Sequence, residues 1–164
     1  WWRRAQAHRV GDALALLASR RNELEVEITR DIPDATLWVE AGETRLRQVL
    51  GNLLANALDA LAERPQPRRL QLVTRQDDDR VCLLIRDNGP GFSEDALLQA
   101  REPFFTTKTS ARGLGLGLAI CDAVIRSLGG RLEFANCADG GACVELYLKP
   151  IESNVNLQAR EDVV

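Results

Sequence analysis

Methionine is absent from this sequence, and histidine and lysine nearly so. The missing initiator leads us to expect a processed chain or a piece of a longer protein. A single histidine, His8, excludes multi-histidine metal sites and confines imidazole catalysis to one position near the N-terminus. With lysine reduced to Lys108 and Lys149, positive charge comes almost wholly from arginine. The net charge of -3 excludes the basic stripe of a general nucleic-acid binder. No apolar run approaches the ~18 residues of a membrane-spanning helix. The opening Trp1-Trp2-Arg3-Arg4 lacks the apolar stretch of a signal peptide. The four cysteines, Cys82, Cys121, Cys137 and Cys143, form no Cys-x-x-Cys pair. We therefore expect reduced thiols in a cytoplasmic domain rather than a disulfide framework or a zinc site.

What is present suffices for a packed core. At 164 residues, 45% hydrophobic and 27% charged, the chain reads as one domain with tails. Residues 3–20 carry helical spacing, Leu24 to Ile28 alternates as a strand, and Thr36 to Val39 reads as a second short strand. Glu43 to Glu63 is the strongest helix. Leu46, Val49, Leu50, Leu53, Leu54, Ala57, Leu58 and Leu61 cover one broad face at about 100° per residue. Pro65 and Pro67 follow it. Arg68 to Gln76 and Arg80 to Asp87 form a hairpin around Asp77-Asp78-Asp79. Ser93 is placed to cap a short helix from Glu94. Residues 101–112 read as loop, Gly113 to Leu128 as a helix ended by Gly129-Gly130, and residues 131–135 and 142–148 as a closing hairpin. The class is α+β, with a mixed, mostly antiparallel sheet on one side and three helices on the other.

Four segments carry chemistry. On the long helix, Asn52, Asn56 and Asp59 fall within an arc of about 60°, opposite the apolar face. The stripe reads either as a solvated face, although such a face usually prefers Glu, Lys or Arg to Asn, or as a ligand face, since neutral amide oxygens suit Mg²⁺ together with phosphate oxygens. Asp87 ends an apolar strand and precedes Asn88-Gly89-Pro90-Gly91-Phe92, so it reads either as a turn aspartate or as an acceptor for a ligand that the glycines admit to the backbone. Gly113-Leu114-Gly115-Leu116-Gly117-Leu118 opens a helix, where backbone N–H groups attract phosphate. It fits neither the P-loop nor the dinucleotide fingerprint. Upstream, Phe105, Thr106, Thr107 and Lys108 offer an anchor, two hydroxyls and a cation, reading either as a surface loop or as a phosphate lid.

Together these segments resemble the ATP-binding catalytic domain of sensor histidine kinases, in the wider family shared with gyrase, Hsp90 and MutL. Residues 48–60 resemble the family's N box, 87–92 its first glycine box, 102–108 its F box, 113–118 its second glycine box, and Gly140-Gly141 the terminal one. Gly-Leu-Gly-Leu-Gly-Leu and Asn-Ala-Leu-Asp-Ala look most like the C4-dicarboxylate and nitrogen-sensing subgroup. The resemblance implies a two-layer α/β sandwich of the Bergerat type, with the end of a linker helix at 1–21, the ATP-binding domain at 22–150 and a C-terminal tail at 151–164. By resemblance, Asp87 accepts the adenine amino group, Gly89 and Gly91 give the base and sugar room, and Asn56 holds Mg²⁺ with Asn52 beside it. Residues Gly113, Leu114, Gly115, Leu116, Gly117 and Leu118 bind the phosphates. Phe105, Thr106, Thr107 and Lys108 form the lid, with Lys108 catalytic alongside Asn52 and Asn56.

The resemblance also separates transfer from hydrolysis. Family hydrolases place a Glu base at the position of Asn52, and Asn takes no proton at neutral pH. The expected activity is γ-phosphoryl transfer from Mg-ATP to a histidine on a separate dimerisation domain, with a response regulator downstream. An ATP-hydrolysing or non-catalytic nucleotide-sensing module is the alternative. Asp59 stands in the nucleotide-facing stripe where many sensor kinases carry Lys, so that phosphate contact is expected to be lost, with Arg112 or Lys108 compensating. Ala142 stands where the terminal box often carries Thr. His8-Arg9-Val10-Gly11-Asp12 does not match the phosphoacceptor pattern, so the chain is expected to donate phosphate without carrying its acceptor. By itself it is expected to be a monomer, and its full-length parent a cytoplasmic-facing homodimer.

Overall fold

The computed structural model describes residues 4–6, 10–32, 38–77, 79–101 and 114–151. Among them the elements follow in chain order: β1 (Arg4–Gln6), α1 (Val10–Leu16), α2 (Ala18–Glu23), β2 (Val26–Asp31), β3 (Trp38–Glu40), α3 (Glu43–Ala62), β4 (Arg68–Gln76), β5 (Val81–Asp87), α4 (Glu94–Arg101), α5 (Leu114–Ser127), β6 (Arg131–Asn136) and β7 (Ala142–Leu148). The main sheet runs β2-β4-β5-β7-β6. Only the β2–β4 pair is parallel. β1 and β3 form a separate antiparallel pair.

The sequence pattern explains the layers. All eight apolar positions of the long helix are buried in α3. Burial of each fully covered leucine, such as Leu50, Leu54, Leu58 and Leu61, contributes at most about 1.5–3 kcal/mol. α3 packs against α1, α5 and the sheet. Strand β5 alternates strictly, with Val81, Leu83, Ile85 and Asp87 buried and Cys82, Leu84 and Arg86 half-buried between them. Because side chains alternate faces along a strand, Asp87 comes out on the same inward face as the core residues Val81, Leu83 and Ile85. β7 repeats the pattern with Ala142, Val144, Leu146 and Leu148. The expected α+β sandwich with a mixed, mostly antiparallel sheet is therefore what the chain forms.

Two expectations are corrected. The single helix over residues 3–20 is instead a strand at Arg4–Gln6 followed by two helices. Pairing of Arg4, Ala5 and Gln6 with Glu40, Val39 and Trp38 recruits the first segment into a sheet. At Leu17 the N–H bonds back to Leu14 O at 3.1 Å, a tight i to i−3 turn that separates α1 from α2. The cysteines also differ: Cys82 and Cys121 are free thiols, but Cys137 and Cys143 are joined in a disulfide. Their spacing is no recognised motif. The β6–β7 register sets Ala135 opposite Cys143, and the turn then returns Cys137 to within 5.9 Å, Cα to Cα, a normal bridging separation.

Candidate functional site

The site is organised along one edge of α3. Asn56 and Ala60 lie one turn apart on that helix. The Asn56 Nδ2 lies near Gly117 of α5, 3.8 Å from where a glycine Cβ would stand. Ala60 lies under Gly89, where an added Cβ would come within 3.2 Å of the Ala60 Cβ. Gly117 thus lies beside Asn56, and Gly89 with Asp87 beside Ala60, along one helix edge. The thiol of Cys121 lies 3.9 Å from Val49 O, which sets α5 against the Asn52 turn. Burial pushes the Cys121 pKa up, and a hydrogen bond with the Asn52 side chain opposes that shift.

Asp87 is only 6% exposed. Its Oδ1 accepts the N–H of Gly89 at 2.8 Å and that of Ala142 at 3.2 Å. Among the described residues no hydrogen bond reaches Oδ2 and no cation pairs with the carboxylate. Burial pushes its pKa up, while the two backbone N–H groups pull it down. A buried carboxylate without a cation is costly to keep, and among the described residues no donor reaches its second oxygen. Gly89 must be small, because a Cβ there would stand 2.8 Å from Asp87 Oδ1.

The loop after Asp87 is held by side chains. Asn88 Oδ1 accepts the Arg69 N–H at 2.7 Å, and its Nδ2 donates to Pro67 O at 2.8 Å. Arg64, just past the end of α3, donates to Gly89 O at 3.2 Å. Asn136, at the end of β6, accepts from Phe92 N and donates to Phe92 O. The Phe92 ring meets Phe134 edge to face at 5.8 Å. Ser93 caps α4 by accepting from Ala96 N at 3.2 Å, as expected. Sequence reasoning missed Arg64, Asn88 and Asn136 as parts of the site. Only Asn88 carried a signal, its place directly after Asp87. At Ala142 the chain lacks the hydroxyl of a Thr, yet its backbone N–H still reaches Asp87.

At the other end, Asn56 Nδ2 is buried and has no hydrogen-bond partner among the described residues. An orphaned buried amide is unfavourable unless a ligand accepts from it. A phosphate oxygen on Nδ2 and a hard cation on the carbonyl oxygen fit this donor set. Leu114, Gly115, Leu116, Gly117 and Leu118 form the first turns of α5, where free N–H groups favour anions. Asp59 is half-exposed and is ion-paired with Arg20 of α2, so its carboxylate already has a partner within the protein. Phe105, Thr106, Thr107, Lys108, Arg112 and Gly113 lie outside the described residues, as do His8 and the tail beyond Ile151.

Residues 41–152 match the family described as histidine kinase-, DNA gyrase B-, and HSP90-like ATPase. Over 153 residues the chain is 62% identical to the C4-dicarboxylate transport sensor protein DctB of Pseudomonas aeruginosa, covering 93% of this chain and 25% of that protein. It is 34% identical to the sensor protein FixL of Bradyrhizobium diazoefficiens, covering 87% of this chain and 27% of that one. The chain thus spans about a quarter of these relatives' length. The solved catalytic domain of histidine kinase ThkA, nucleotide-free, superposes with a TM-score of 0.74 at 25% identity, covering 89% of this chain and 93% of that one. Full-length ShkA, solved with AMPPNP, gives 0.72 at 25% identity, covering 92% of this chain and 32% of that one.

Proposed function

The chain belongs to the histidine kinase-, DNA gyrase B- and HSP90-like ATPase family, with sensor histidine kinases among its relatives, and we propose that it binds Mg-ATP and donates the γ-phosphoryl group to a histidine on a separate dimerisation domain. The observation that carries this is the Asp87 carboxylate, buried and, among the described residues, with no cation beside it and no donor on Oδ2. The adenine amino group is such a donor, and Gly89 and Gly91 leave room for the base. Asn56 would hold Mg²⁺ through its carbonyl oxygen while Nδ2 donates to a phosphate oxygen, with Asn52 beside it. When bound, the cation neutralises phosphate charge and holds the terminal oxygens for attack. Gly113, Gly115 and Gly117 would donate backbone N–H groups to the phosphates. Phe105, Thr106, Thr107 and Lys108 would close over them.

Asn52 decides the reaction class. Its amide orients but accepts no proton at neutral pH, so the site offers water no base at the position where hydrolases of the family use a carboxylate. Transfer to an incoming nucleophile then rests on positioning and charge neutralisation. The parent protein is proposed to be a cytoplasmic-facing homodimeric sensor that passes phosphate from its histidine to a response regulator. A structure of ThkA in complex with response regulator TrrA supports that order of partners. Among the described residues no helix is long and apolar enough to cross a membrane. The test is trans-phosphorylation. This chain, Mg-ATP and a supplied dimerisation domain should yield acid-labile phosphohistidine on that domain. ATP turnover at the same rate without any acceptor would support the hydrolase instead, and binding without either reaction would leave a nucleotide sensor.

A further inference from the structure

The β6–β7 turn lies against the adenine end of the site from two sides. On one side, Gly141 adopts φ +88°, and a Cβ there would collide with the Asp87 carbonyl, so the turn backbone lies directly on the strand end that carries Asp87. The next N–H, of Ala142, donates to Asp87 Oδ1. On the other side, the turn begins at Asn136, whose side-chain amide meets both backbone groups of Phe92. Oδ1 accepts from Phe92 N at 2.7 Å and Nδ2 donates to Phe92 O at 2.9 Å. These two bonds copy one rung of a strand pair using a side chain in place of a backbone. Gly91 sits in the left-handed region at φ +78°, and an added Cβ would stand 2.8 Å from Asn136 Oδ1. The turn itself is closed by the Cys137–Cys143 disulfide and by the Cys137 N–H bond to Gly141 O at 3.0 Å. Asp139 is ion-paired with Arg86 of β5.

We propose that Asn136 is a positioning residue for the adenine end of the site: by clamping both backbone groups of Phe92 it ties the Gly89–Gly91 loop to the same turn that holds Asp87. It touches no substrate atom. Its effect is to fix the gap between the carboxylate that reads the base and the glycine loop that walls it. This rests on the nucleotide reading of the site, and it extends that reading to a residue that none of the recognised sequence boxes includes.

The test compares ligands that use different ends of the site. Affinities for Mg-ATP are measured by calorimetry, and those for adenosine and Mg-tripolyphosphate by competition. Asn136 is exposed at a strand end, so its variants should fold, and nucleotide-free melting checks that they do. Asn136→Ala should weaken ATP and adenosine binding alike by about tenfold and leave tripolyphosphate unchanged. Asn136→Asp keeps the acceptor for Phe92 N but sets a second acceptor against Phe92 O, so it should weaken adenosine binding as well. Unchanged adenosine affinity in Asn136→Ala, or an equal loss for all three ligands, would overturn the proposal. A parent chain that binds none of the three would overturn the nucleotide reading itself and the proposal with it.

Discussion

The two ends of the site are built on opposite plans. Around Asp87, backbone and side chains are tied to one another before any ligand arrives: Gly89 and Ala142 bond Oδ1, Asn88 bridges β4 and the loop, and Arg64 and Asn136 hold the loop from either side. Around Asn56 the buried Nδ2 has no partner among the described residues. The difference teaches where each kind of energy is spent. In the proposed reading, a flat base needs a fixed acceptor at a fixed distance, which a preorganised end would supply. A polyphosphate and its cation would bring charges and acceptors with them, so the other end would be completed by binding.

Mutations at the two ends should therefore differ in kind. Asp87→Asn should have the largest effect, cutting ATP affinity about 100-fold or more, because an ionised acceptor is lost and the amide presents a donor to the adenine amine. The same variant should not destabilise the empty domain. Burial holds the Asp87 pKa above its ordinary value, so the stability linked to its protonated form is complete below the ordinary aspartate range. That stability is lost as pH rises through the raised value. The nucleotide-free Asn variant should accordingly melt no lower than the parent at about pH 8, with its relative advantage shrinking as the pH falls toward ~4.

Gly89→Ala follows, with ATP affinity down about 30-fold, since its Cβ would press on Asp87 Oδ1 and Ala60 and relieving that contact costs about 1–3 kcal/mol. Calorimetry should show this loss equally with and without Mg²⁺. Asn56→Ala should break the symmetry, weakening Mg-ATP about tenfold but Mg-free ATP much less. Equal losses would mean that Asn56 is not at the cation. Smallest is Arg20→Ala. It breaks a half-exposed ion pair with Asp59, a kind that contributes about 0–1 kcal/mol, and should change ATP affinity less than about threefold. A large loss of affinity there would return Asp59 to the nucleotide.

The same contrast runs through what was legible in the sequence. The α3 core stripe and the Asn52–Asn56 pair could be read because helical period fixes which residues share a face. The inward position of Asp87 could be read because it ends an alternating strand, while its proposed role came from the family resemblance. The clamp of Asn136 on Phe92, the Arg64 bond to Gly89 and the Cys137–Cys143 bridge could not, because each joins residues that only the sheet register or a loop path brings together. The opening segment was misread for a related reason. Its helical spacing is genuine over α1 and α2, but pairing with β3 overrides it at Arg4–Gln6.

The account is tested most directly by following backbone and side-chain amide NMR signals through successive additions of adenosine and Mg-ATP. It predicts that adenosine shifts the amides of Gly89, Gly91 and Ala142 and leaves the Asn56 side-chain amide in place, and that Mg-ATP then shifts Asn56 and Gly117 as well. Shifts confined to other faces of the domain, or an Asn56 side-chain amide that moves with adenosine and not with Mg-ATP, would contradict it.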